Sequence, residues 1–207
     1  MLAQTENTYD RFFHYAHALL LLCWRAVFLC TEEGVIIAQP GASHRSIDSW
    51  RQLVKELDQW YRMRPPEFHP MVDLDAHDPT LSSDGGFSLV LFTNGAAVFS
   101  NQLYHTAMLM LLQDKPRTVQ LTDFQSSVLS PLWHARRICS IALNNDRRDW
   151  WDPCLLASSL MTARYMTHES QQQEILQGFE RIRNLTGWDI SRSLDVLREE
   201  WSSLEDP

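Results

Sequence analysis

Residues 87–113 read FSLVLFTNGAAVFSNQLYHTAMLMLLQ, 27 positions without one Asp, Glu, Lys or Arg in a chain that is 21% charged. Apolar residues fall on nearly every side of a helical wheel, the pattern of a helix buried all round. Gly85-Gly86 precede the run and Asp114-Lys115-Pro116 close it. At about 1.5 Å per residue such a helix would extend ~40 Å, against a radius of gyration of ~17 Å for a compact chain of this length. It would cross the whole molecule, and the other helices would have to pack around it. The predicted fold class is all-α, with about seven helices around a long buried central helix spanning about 87–113.

A membrane span is the alternative for so apolar a run, since ~20 residues suffice. The polar residues argue against it. At 100° per residue, Asn94, Asn101 and His105 lie within about 40° of one another, and Gln102 sits nearby. Two amides and an imidazole on one stripe are costly in lipid unless paired. Gly95 would weaken the helix by about 1 kcal/mol relative to Ala. The stripe has two readings. It bonds to neighbouring helices inside the core, or it lines a small-molecule pocket with a few placed polar groups. Asn94, Asn101 and His105 thus stand as the candidate effector pocket or buried polar stripe, with the structural role the plainer.

The 207 residues should fold to ~10,000 Å² of surface from ~35,000 Å² unfolded. That supports a core without metal or disulfide staples, and a single domain over 1–207 is expected. Eight Trp and nine Phe give that core large pieces to bury. A formal charge of −8 repels phosphate backbones and disfavours nucleic-acid binding by this chain alone. Cys23, Cys30, Cys139 and Cys154 form no C-x-x-C, so no zinc spacing is present. Cys23 and Cys30, on one predicted helix, would lie ~10 Å apart, too far for a disulfide. Free thiols in a reducing compartment are the plain reading. Glu6 and Asp10 stand where a signal peptide wants Lys or Arg, and Arg25 interrupts the short run Ala18–Trp24. A signal anchor there is the weaker reading.

Residues 1–8 are polar and expected to fray, with Thr8 capping a helix from Tyr9 to Thr31. His14 and His17 have a spacing that suits a metal but no third ligand nearby. Ile47, Trp50, Leu53, Val54, Leu57, Trp60 and Tyr61 give the cleanest amphipathic helix, stopped by Pro65-Pro66. Residues 64–84 form a Pro-rich loop with His69, Asp73, Asp75, His77 and Asp78. That cluster alone has the chemistry of a metal or acid–base site, and a solvated acidic loop is preferred. Downstream of a connector, Thr118–Ser127, Ser130-Pro131 open a helix. There Arg136 and Arg147, and likewise Arg137 and Arg148, fall near one angle. This predicts a basic stripe, solvated or paired locally, or able to dock an acidic partner. After a turn at Asp149–Pro153, helices are predicted over 154–165, from Thr167 or Ser170 to a C′ glycine at Gly187, and from an Asp189 cap through Trp201. No strand alternates for long: Val35–Ala38 and Met71–Leu74 are too short to weigh.

These pieces carry a resemblance. They are Trp50-x-x-Leu53, Leu57-x-x-Trp60, Arg64-Pro65 with Phe68 and Pro70, and Asn101 with Tyr104-His105 and the Leu-rich turn after them. Then come Ala135-Arg136-Arg137-Ile138-Cys139 with Ile141 and Ala142, and Thr186-Gly187-Trp188 with Trp201. Over roughly residues 45–201, in this order, the chain resembles the carboxyl-side regulatory region of fungal zinc-cluster transcription factors, the fungal-specific transcription factor domain. The resemblance implies an all-α, effector-responding domain of a nuclear activator or repressor of RNA polymerase II transcription. Many members recognise DNA through an amino-terminal module in which six cysteines hold two zinc ions beside a basic segment. This sequence has four dispersed cysteines and no basic arm, so no zinc ligand or DNA contact of the family maps onto a residue here. A fragment or a divergent member is expected, with DNA and zinc engaged only through that missing module.

No cofactor is expected in this chain. The expected partners are other proteins or a second copy, with a small-molecule effector as a further candidate and no membrane. The expected location is the nucleus by resemblance, and otherwise soluble and intracellular. Three alternatives compete. One is a helical interaction scaffold that pairs with full-length relatives. Another is an all-α enzyme, for which Asp73-x-Asp75 invites a metal–diphosphate reading, yet no DDxxD, HExxH, GxSxG or phosphate loop occurs. The third is a membrane-associated protein built on Ala16–Cys30 and Phe87–Leu112. The chain is not read as an enzyme, and no catalytic, cofactor-binding or metal-ligating residue is named.

Overall fold

The computed structural model describes residues 2–31, 42–74, 86–117, 119 and 127–205. Among these residues are seven α-helices and one two-stranded antiparallel sheet. In chain order they are α1 Leu2–Cys30, α2 Ala42–Met63, β1 Val72–Leu74, β2 Leu89–Leu91, α3 Gly95–Gln113, α4 Pro131–Asn144, α5 Pro153–Ala163, α6 Glu169–Thr186 and α7 Ser191–Glu205. Single 3-10 turns lie at Pro66–Phe68, Ser127–Leu129 and Arg148–Trp150. The fold is all-α, as predicted.

The charge-free run is divided between two elements. α3 begins at Gly95 instead of Phe87 and is 19 residues long, or ~28 Å. Two local competitors take the first third of the run. Asn94 is extended (φ −150°, ψ 154°), and its side chain accepts the Ala97 N–H at 2.8 Å, which fixes the helix start. Leu89–Leu91 pair with Val72–Leu74, placing Val72 opposite Leu91 and Leu74 opposite Leu89. Met71–Leu74 therefore does contain a strand. Its hydrogen bonds come from a partner in the apolar run, which alternation within three residues could not reveal.

The remainder of the run behaves as a core helix. Fourteen of the nineteen α3 residues are buried, and α3 packs against α1, α2, α4 and α5. Leu19 and Ala26 of α1, the Trp50–Trp60 face of α2, and Tyr104 and Met108 of α3 share one apolar cluster. Leu109 of α3 joins a second, with Ile138 of α4, Leu156 of α5, Phe179 of α6 and Trp201 of α7. Gly95 costs the helix little as its first residue. A Cβ there would stand 2.8 Å from Trp150 Cδ1, so the indole needs the glycine.

The amphipathic reading of α2 fits its packing. Trp50, Leu53, Val54, Leu57 and Trp60 are buried, and both indoles find acceptors: Trp50 Nε1 donates to Leu111 O at 2.9 Å and Trp60 Nε1 to Tyr15 O at 3.1 Å. Ser130 caps α4 by accepting the Trp133 N–H, with Pro131 at the first position. Gly187 ends α6 at φ 76°, its N–H donating to Arg183 O at 2.8 Å. Asp189 accepts the Ser191 N–H at the start of α7.

Three expectations change. α1 starts at Leu2, so Thr8 lies within the helix. Neither Thr167 nor Ser170 caps α6; its N-cap position is His168, without a side-chain bond. The basic stripe does not form. α4 stops at Asn144 because Asn144 and Asn145 turn their amides onto the β2 segment, so Arg147 and Arg148 leave the helix, while Arg137 is buried. Within α1, Asp10–Cys30 is long and apolar enough to cross a membrane, by length and composition only.

Candidate functional site

Tyr61 and Arg64 stand at and just past the end of α2, Tyr104 and His105 in the middle of α3, and His134 and Arg137 one turn apart on α4. Because α3 packs on both α2 and α4, these side chains meet inside the molecule. His134 Nε2–H donates to Val128 O at 3.0 Å, which leaves its Nδ1 as an acceptor. His105 Nδ1–H therefore donates to His134 Nδ1 across 2.9 Å. Both rings are neutral in this arrangement. Burial, then the nearby His134 and the Arg137 and Arg64 charges, hold His105 well below the usual imidazole range. Burial pushes His134 down to about 4.

Aromatic rings surround the pair. Trp133 meets His105 edge-on at 5.1 Å. Tyr104 stacks on Tyr61 with centroids 4.2 Å apart, and the Arg64 guanidinium lies 3.5 Å from the Tyr61 centroid, a cation–π contact. Arg137 forms a two-pronged ion pair with Asp73 at 2.5 and 2.8 Å, tying α4 to β1. The Tyr104 hydroxyl is buried with no hydrogen-bond partner among the described residues.

The stripe proposed from sequence resolves into two arrangements. Asn94 and Asn101 hold one 3-10 turn: Asn94 Nδ2 donates to Glu67 O at 3.0 Å and Asn101 Nδ2 to Phe68 O at 2.8 Å. His105 belongs to the histidine pair. None of the three lines the cleft of about 620 Å³ between α1 and α2 or the one of about 470 Å³ between α5 and α7. In the acidic loop, His69 donates to Arg64 O at 3.1 Å and Asp73 is committed to Arg137. Asp75, His77 and Asp78 lie outside the described residues, as does most of Thr118–Ser127. His14 and His17 are exposed. Among the described residues no three His, Cys, Asp or Glu group to hold a metal. The four thiols are free. Burial lifts Cys23 to about 11 and Cys30 and Cys139 to about 12, so all three stay protonated and unreactive at neutral pH.

No sequence motif marks His134, Asn144 or Asn145, and Gln102 stood only as a neighbour of the polar stripe. Gln102 donates to Leu155 O at 2.7 Å and to Ser158 Oγ at 2.7 Å, joining α3 to α5. Asn145 accepts the Phe92 N–H at 3.0 Å and donates to Val90 O and Ile141 O at 2.8 Å. The usable signal was a polar residue on an otherwise apolar helix face, three before Arg137 in the case of His134. Chemically, the site is an internal polar joint. It links α2, α3, α4 and β1, and one N–H···N hydrogen bond joins its two neutral imidazoles in a fixed pair of tautomers. Compared with known proteins, the chain matches no family model, no curated protein and no solved structure.

Proposed function

We propose that the chain is the helical regulatory domain of a transcription regulator of the fungal zinc-cluster kind, one that responds by repacking around the His105–His134 joint. One observation supports this most. Residues from separate pieces of the resemblance are packing partners of one another. Trp60 lies edge-on to Phe68 at 6.3 Å and stacks over Tyr104 at 6.2 Å. Asn101 holds the carbonyl of Phe68, and Arg64 and Tyr104 meet on the intervening Tyr61 ring. Residues scattered along the chain that build one joint read as the signature of a fold.

In this reading an effector or protein partner binds one packing of α2, α3 and α4 better than another and shifts the balance between them. DNA is reached through another module, and zinc is held elsewhere. The test is a fusion of the chain to a heterologous DNA-binding module ahead of a reporter gene. Transcription should change, and Tyr104 or His105 variants that keep the wild-type melting temperature should alter the change. A folded fusion in the nucleus that leaves the reporter untouched overturns the proposal. If alanine at Asn94, Asn101 and His105 reduces folding and response in proportion, the stripe is only structural.

A further inference from the structure

α1 is apolar on two opposite faces. Leu19, Cys23 and Ala26 are buried on one. On the other, Phe13, Leu20, Leu21, Trp24, Val27 and Phe28 are between 40% and 63% exposed. Phe13, His17, Leu20, Trp24 and Val27 succeed one another at intervals of four, three, four and three, the spacing of a helix–helix seam. An aromatic side chain offers roughly 150–250 Å² and an aliphatic one rather less, so the strip presents roughly 600–700 Å² of apolar surface. The largest patch on a typical monomer is ~300–600 Å², and a standard interface takes ~800 Å² from each partner. Met63 of α2, 62% exposed, extends the strip across the neighbouring cleft.

We propose that two copies of this chain pair on this strip, α1 against α1, antiparallel about Leu20–Leu21. The strip is self-complementary when read backwards. Antiparallel pairing sets Phe13 opposite Phe28, His17 opposite Trp24 and Leu20 opposite Leu21, so each layer holds similar bulk. A parallel seam would instead face Trp24 with Trp24 and His17 with His17. The same face also carries both a knob and a hole: Trp24, 63% exposed, stands at the rim of the cleft lined by Leu21, Leu22, Trp60 and Met63. A two-fold interface requires such paired features on one surface. Charge separates this occupant from a bilayer. Helices that lie on membranes use Lys and Arg to reach anionic headgroups. The two arginines of α1 are already engaged, Arg11 with Glu67 at 3.4 Å and Arg25 with Glu56, and the chain carries −8. The pairing stands apart from the regulatory proposal, since it requires nothing of transcription.

Sedimentation equilibrium of the full chain at micromolar concentration should give twice the chain mass. Trp24→Glu and Leu20→Glu, both at exposed positions, should each weaken pairing roughly thirty-fold or more while leaving the far-ultraviolet dichroism unchanged. Phe13→Cys chains mixed with Phe28→Cys chains should cross-link under mild oxidation, and neither variant should do so alone beyond the wild-type background. A monomer at every concentration overturns the proposal, whether neutral phosphatidylcholine vesicles or the chain's own residues 32–41 prove to take the face. So does a dimer indifferent to both glutamates. Cross-linking of each cysteine variant with itself overturns the antiparallel arrangement.

Discussion

The buried histidine pair makes acid the natural probe of the joint. His134 has a folded pKa of about 4, against about 6.5 for a free imidazole, so between these values the unfolded chain binds the extra proton. The stability tied to the neutral ring is therefore complete above pH ~6.5 and lost as pH falls towards ~4. At about 1.4 kcal/mol per unit, the loss is at most on the order of 3 kcal/mol. His105 shifts in the same direction. Urea midpoints for wild type should drop between pH ~7 and pH ~4.5, and the drop should shrink in His134→Gln. Tyr104→Phe tests the other oddity of the joint. It removes a buried hydroxyl without a partner among the described residues and should stabilise the protein by about 1 kcal/mol in thermal melts; destabilisation would mean that the oxygen is bonded. His105 was legible in sequence as a polar residue in an apolar helix. Its partner was not, because tertiary packing alone brings a residue 29 positions away into bonding range.

Among the elements, the asparagines at the end of α4 replace what a longer helix would have provided. Asn145→Ala removes bonds to Val90 O, Ile141 O and Phe92 N–H. It should cost about 2–3 kcal/mol and accelerate amide exchange across 89–92 more than within α3. Gly187→Ala places a Cβ at φ 76° and should cost about 1 kcal/mol, with the melt otherwise cooperative. Pro65-Pro66 after α2, Ser130-Pro131 before α4 and Gly187 after α6 were readable from local chemistry, whereas Thr8, Thr167 and Ser170 do not cap the helices they were expected to start. The β1–β2 pair was not, because each strand is three residues long and owes its existence to the other. The same holds for the missing basic stripe. Its angular argument assumed a helix that the Asn144 and Asn145 amides end.

At the scale of the molecule, the absence of charge in 87–113 announced an all-α core, and α3 lies at the contact of four helices. The arginine, tyrosine and histidine joint was legible only as separate polar residues. Its assembly depends on how α2 and α4 cross α3, which no periodicity encodes. The two-sided apolarity of α1 was visible as composition, but which face would remain uncovered depended on where α2 and α3 sit. The charge-free run has another consequence. Until α1, α2, α4 and α5 close over it, 27 consecutive residues carry no charged gatekeeper to keep one nascent chain from adhering to another. Refolding from denaturant should thus lose yield steeply as protein concentration rises, and recover with a chaperone that holds unfolded chains apart. The segment that becomes the best-sheltered part of the finished molecule is the one most in need of shelter while it is being made.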